Sequence, residues 1–170
     1  MYQIGDTVVC GSNGVCTVEE IGTLSIMGRA ARHRKFYTLK PYYDATGKVY
    51  LPVDCDEASI RPALTKPEVE QLMSEIDDLE QVWISDEKKR EAEYKSAVNS
   101  SDPRRLVRII KTMYFRKQSR LESGKKSTAI DERYFKIAET RLYEEMALAL
   151  GIDKDEVRDY IRGYLEKLQP

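Results

Sequence analysis

The chain has 170 residues, a formal net charge of −1 and 41% hydrophobic residues, enough for packed cores in one domain of ordinary size or two small ones. Its longest apolar runs, such as Met146 to Leu150, are too short to span a bilayer, and the polar start MYQIGD is not expected to be a signal peptide, so the expectation is a cytoplasmic protein with no membrane partner. Cys10, Cys16 and Cys55 are odd in number and lack CxxC spacing, and His33 is the single histidine, so no metal and no cofactor are expected and the cysteines read as small apolar residues in a reducing compartment.

Up to residue 64, short runs rich in β-branched and aromatic residues alternate with turn chemistry. The runs are Thr7 to Cys10, Val15 to Ile21, Lys35 to Lys40 and Val49 to Val53, with turns at Gly11-Ser12-Asn13-Gly14 and Asp44 to Gly47. This predicts a small antiparallel β-barrel in which Asn13-Gly14 supplies the positive φ of a tight hairpin and Pro52 is confined to an edge strand. From residue 65 the spacing turns helical. Thr65 and Glu68 form a capping-box pattern around Pro67, and Val69, Leu72, Met73 and Ile76 follow at helical intervals. A second helix is expected to begin near Ser85. Asp102-Pro103 starts a third, with Leu106, Ile109, Ile110, Met113, Tyr114 and Leu121 on its apolar side, Arg104, Arg105, Arg108, Lys111 and Arg116 opposite, and Gly124 at its end. Phe115 falls on the basic side. It reads as a packing contact with the fourth helix, the alternative being an exposed aromatic that stacks on nucleic acid. Thr128 to Leu150 is the fourth helix, with Tyr134, Ile137, Ala138, Leu142 and Met146 inward. Asp153 and Glu156 cap a fifth, where Tyr160 and Tyr164 read as core. The fold class is α+β, a β domain over residues 1–64 followed by an all-helical domain over 65–170.

Charge is strongly segregated. Between Pro103 and Lys126 there are nine basic residues and one acid, Glu122, for a local charge of +8, whereas Asp54 to Glu87 carries eleven acids against Arg61 and Lys66, for −9. The basic helix makes a polyanion, nucleic acid first, the expected partner. An enzyme is not expected: GxGxxG, GxxxxGK[ST] and HExxH are absent, and nucleophilic catalysis would rest on His33 alone, among Arg29, Arg32, Arg34 and Lys35. No small-molecule substrate is expected either. Asp77 and Asp78 with Glu75 and Glu80 read as a hydrated surface rather than a cation site. Trp83, between Val82 and Ile84, reads from its neighbours alone as a core residue bridging two helices.

A resemblance gathers several of these pieces. Ile4-Gly5-Asp6-Thr7-Val8-Val9-Cys10, Asn13 to Ile21, Phe36-Tyr37-Thr38-Leu39-Lys40-Pro41, Tyr50-Leu51-Pro52-Val53 and Arg61-Pro62, in that order and followed by Trp83, the Asp102-Pro103 helix and Glu144-Glu145-Met146-Ala147, resemble the CarD/CdnL family. Transcription-repair coupling factors carry a module similar to the β part. The resemblance implies a bacterial, nucleoid-associated transcription regulator whose Tudor-like barrel binds the β subunit of RNA polymerase by a strand edge. Its helical domain would contact promoter DNA, mostly without sequence preference, at the upstream edge of the melted bubble. Trp83 would then be a minor-groove wedge that prolongs the open complex, with Lys88, Lys89 and Arg90 beside it and Arg104, Arg105, Arg108 and Lys111 facing phosphates. On the polymerase side the aligned positions carry Leu24 and Tyr50, where relatives often have basic residues, and Arg29, Arg32, Arg34 and Lys35 in the hairpin loop would supply the missing charge. Asp86 and Glu87 would either repel phosphates or serve the helix dipole. The alternatives are a free nucleic-acid-binding protein and an adaptor whose basic helix binds an acidic partner.

Overall fold

The structure is a computed structural model that describes residues 1–25, 28 and 33–168; Arg29 and Arg32 lie outside the described residues. The chain forms two compact units, Met1–Ala63 and Leu64–Pro170.

In the first unit, strands β1 (Thr7–Cys10), β2 (Gly14–Thr23), β3 (Lys35–Pro41), β4 (Val49–Pro52) and β5 (Arg61–Pro62) make one antiparallel sheet in the order β4-β3-β2-β1-β5. The expected barrel is an open sheet. β4 and β5 each pair with a single neighbour, and β5 is too short to close a ring, the more so because Pro62 has no N–H to donate. A bulge in β2 between Val18 and Glu20 bends the strand, so that Val8, Cys10, Cys16, Val18, Tyr37, Leu39 and Ile60 enclose a core on one face. Burial pushes the Cys16 thiol up to about 12, which leaves it a small apolar residue at neutral pH.

The β1–β2 connection differs from the hairpin expected of Asn13-Gly14. Gly11–Asn13 forms a 3-10 turn, and the positive φ values belong to Gly11 and Gly14 (φ 70°, ψ −146° at Gly14), while among the described residues no non-glycine has a positive φ. A two-residue turn would have required one at Asn13. The Asp44 to Gly47 turn is held by the Asp44 carboxylate, which accepts from the Thr46 N–H and hydroxyl and from the Gly47 N–H.

The second unit holds five helices: α1 (Lys66–Ser74), α2 (Glu87–Asn99), α3 (Pro103–Glu122), α4 (Ala129–Leu150) and α5 (Val157–Leu168). Their starts follow the capping chemistry of the sequence. Thr65 and Glu68 close a capping box, Asp102 accepts from the Arg104 N–H, Thr128 accepts from the Asp131 N–H, and Asp153 with Glu156 closes a second box ahead of α5. Leu72, Met73, Tyr94, Ile109, Met113, Tyr134, Leu142 and Met146 fill one core. The inward set on α3 is shifted from the expected one: Val107 and Thr112 are buried, whereas Tyr114 and Leu121 are half exposed, Tyr114 lining an open groove of about 700 Å³ with Ile110 and Phe135. Phe115 is 45% exposed, so the expected packing contact with α4 gives way to the exposed alternative. Tyr160 and Tyr164 only border the core.

The backbone at Gly14 lies where side chains are strained by about 1–3 kcal/mol. Gly14→Ala should therefore destabilise the β unit by that amount. Amide hydrogen exchange is the check: protection should fall in β1 and β2 and stay unchanged in α3 and α4.

Candidate functional site

α1 stops at Ser74, and beyond it the carbonyls of Ile76, Asp77 and Leu79 need partners from outside the helix. Lys111 on α3 supplies them: its ammonium donates to the carbonyls of Ile76 (2.9 Å), Asp77 (3.0 Å) and Leu79 (3.1 Å), three donors for three acceptors. Nearby on α3, Arg108 Nε donates to the Glu80 carbonyl at 3.0 Å. Arg104 grips Glu75 through Nε and Nη2 at 2.7 and 2.9 Å, and this pairing, helped by Gln71, holds the Glu75 carboxyl below its ordinary value. Buried Thr112 accepts from the Val82 N–H at 2.8 Å while donating to the Arg108 carbonyl at 2.7 Å. Residues 75–82 are thereby laced across α3.

Trp83 follows this laced segment and is 70% exposed. Its neighbours on both sides are tied down, Val82 by Thr112 and the Ile84 carbonyl by Arg90 Nη1 at 3.2 Å. The core reading of Trp83 fails: the backbone is anchored and the indole is left in solvent. Asp86 caps α2 by accepting from the Lys89 N–H at 2.9 Å, and Glu87 sits in the first turn, so these acids serve the helix start.

Of the basic residues expected at a DNA surface, Lys88 and Lys89 are exposed. Arg90 is corrected. It is 5% exposed and shares the inward row of α2 with Tyr94, Ala97 and Val98, where it faces Asp131 (Nε to Oδ1, 3.8 Å). Asp131 also accepts from Arg116 Nε and Nη2, both at 3.2 Å, so one carboxylate joins α2, α3 and α4. Arg104, Arg108 and Lys111 are engaged with residues 75–80, and Arg105 donates to Glu93 and to the Ser96 hydroxyl, each at 3.0 Å. The helix face expected to meet phosphates thus holds the Trp83 segment in place. Thr112 and Asp131 were missed from sequence. Their signals were a lone hydroxyl on the inner side of a basic helix and an acid three residues after the Thr128 cap.

In the first unit, β4 is an edge strand: β3 pairs with one side of it, and the backbone groups of the other side meet no strand among the described residues. Val49 and Leu51 turn toward the core, and Tyr50, opposite Thr38, takes the other face and is half buried. Leu24 is half buried just beyond β2. Pro52 closes the edge strand, as its missing N–H requires.

Residues 2–64 match the CarD-like/TRCF RID domain family, a family of RNA polymerase-interacting domains. No curated protein matches the chain.

Truncating the Lys111 ammonium leaves three carbonyls without their donor. Lys111→Met should cost about 1.5–3 kcal/mol in thermal or urea unfolding, the range for hydrogen bonds to a charged group, and raise the mobility of Trp83 in fluorescence anisotropy. Lys89→Met, at an exposed position, should change stability by less than about 0.5 kcal/mol.

Proposed function

With an N-terminal unit that belongs to the CarD-like/TRCF RID domain family as the premise, we propose that the protein is a transcription factor that grips the β subunit of RNA polymerase through the β4 edge and steadies the promoter open complex with Trp83. It acts by contact rather than by catalysis. The observation that carries the reading is the pairing of a family-matched sheet with an indole that is solvent-exposed yet anchored at both flanking residues. A free aromatic ring on a rigid support is what insertion at an unstacked base step requires, since the cost of ordering the wedge has been met before DNA arrives.

The phosphate contacts are assigned to Lys88 and Lys89, the exposed cations on the first turn of α2. Arg104, Arg108 and Lys111 enter as the support that presents Trp83, because each donates to residues 75–80, while Arg105 ties α3 to α2. On this reading DNA affinity away from polymerase is weak: two lysines and one indole supply few contacts, and tethering through the β4 edge raises the local concentration.

Two measurements test the two halves. An aspartate at the edge should prevent strand pairing, so Tyr50→Asp is expected to abolish retention of the full-length protein by polymerase while circular dichroism stays native. Retention at the wild-type level would sink the edge assignment. Trp83→Ala should leave stability within about 0.5 kcal/mol, as at an ordinary surface site, yet shorten the lifetime of the open complex on a supercoiled promoter. An unchanged lifetime would remove Trp83 from the mechanism.

A further inference from the structure

The helical unit leaves a long apolar groove uncovered. Val107, Ile110 and Tyr114 of α3 line it together with Phe135, Leu142 and Met146 of α4, and Ile76 of α1 and Ile161 of α5 complete the lining. The lining runs from Val107 to Gln118 on α3 and from Asp131 to Met146 on α4, about 16 and 22 Å of helix, or about three to four turns. The apolar row of α3 continues past it. Val107, Ile110, Tyr114 and Leu121 fall within about 60° of one another around the helix axis. The row emerges toward its end, from buried Val107 through half-buried Ile110 to Tyr114 and Leu121, which are 50% and 52% exposed. Phe115 braces Tyr114 edge to face, with ring centroids 5.6 Å apart.

Among the described residues, six charged side chains line the groove, three of each sign. Four are engaged inside the molecule: Lys111 with the carbonyls of Ile76, Asp77 and Leu79, Asp131 with Arg116, and Arg158 with Glu139. The other two are Lys117 on α3 and Glu132 on α4, both exposed and neither with an ion-pair or hydrogen-bond partner among the described residues. Lys136, one turn after Glu132, lines the neighbouring cleft with Lys154 and Arg162, while Glu122, Lys125 and Lys126 lie past the lining residues at the end of α3 and in the turn after it. The occupant must therefore be apolar over several helical turns and bring one charge of each sign. An acyl chain with a single head group leaves one of the two charges unanswered, and a polyanion leaves both Glu132 and the apolar walls unanswered. The chain itself carries what is needed: an emerging apolar row flanked by Lys117, beside a wall that offers Glu132. A two-fold axis across the groove pairs Lys117 of each copy with Glu132 of the other, so both charges are met twice.

We infer that the protein forms a homodimer in which the α3 row of each copy, Tyr114 and Leu121 foremost, fills the groove of the other, with reciprocal Lys117–Glu132 pairs fixing the register. The dimer is independent of the polymerase reading, since neither Trp83, Lys88 or Lys89 nor any residue of β4 lines the groove.

Sedimentation equilibrium of the full-length protein, from micromolar to near-millimolar concentration, should show a monomer–dimer equilibrium. Lys117→Glu and Glu132→Lys should each weaken the dimer on the order of tenfold or more, because either change sets two like-charged pairs against each other at the interface. Both positions are exposed, so the circular dichroism of each variant should match that of the wild type. An equimolar mixture of the two variants should dimerise at wild-type affinity, because every pair across the interface then joins opposite charges. Leu121→Asp, which sets a carboxylate in the apolar row, should leave a monomer. A wild-type monomer at all concentrations would overturn the dimer and leave the groove to a helix of another protein. Dimerisation that persists unchanged in Leu121→Asp and in both charge reversals would place the contact on another face and overturn the inference as well. A mixture no tighter than its separate components would overturn the reciprocal pairing, and none of these results touches retention by polymerase, which is measured separately.

Discussion

One ammonium group organises the segment between α1 and α2 that carries Trp83. Lys111 meets the carbonyls of Ile76, Asp77 and Leu79 at once, and no other side chain offers three donors fanned from a single atom. Because α1 ends at Ser74 and α2 begins at Glu87, the intervening residues have no ladder of their own to obey. Their path is set by what α3 offers along one side: a carboxylate partner at Arg104, carbonyl donors at Arg108 and Lys111, and a hydroxyl acceptor at Thr112. The exposed position of Trp83 is the outcome of that path rather than of anything in its own neighbours.

The helix starts were legible in the sequence because a cap is a local event. Asp102-Pro103, Thr128 and the Thr65/Glu68 and Asp153/Glu156 pairs each satisfy backbone donors within three residues, so no distant partner can overrule them. The edge placement of Pro52 was legible for a similar reason. What the pattern left open was the use of the basic side of α3, because a row of cations on a helix has the same pattern whether it faces phosphate or the chain's own carbonyls. The acidic block from Asp54 to Glu87 was the available clue. Its charge is nearly equal and opposite to that of the basic block, and Glu75 is in fact the carboxylate that Arg104 holds. Arg90 was misplaced for a simpler reason: in a helix with little hydrophobic patterning, the inward row is defined by Tyr94, Ala97 and Val98, and an arginine at the head of that row looks like surface.

The β unit shows the same division between local and distant determinants. Alternation along β1, β2 and β3 marked the strands, but whether they close into a barrel depends on the lengths of β4 and β5 and on a proline that cannot donate, none of which alternation measures. On the proposed function the open ring has a use, since a closed barrel has no edge and an open sheet keeps one for pairing.

Asp131 connects three helices through a single carboxylate, with guanidinium groups of Arg90 and Arg116 converging on it in a nearly dry site. Removing Asp131 leaves two buried guanidinium groups with their neutralising partner gone, which costs several kcal/mol, whereas exchanging all three for apolar residues can be close to neutral. The intermediate genotypes are thus deep valleys between two viable combinations. Lineages descended from this chain are expected to inherit the three positions as a block, and their joint replacement would mark an old divergence rather than drift at independent sites.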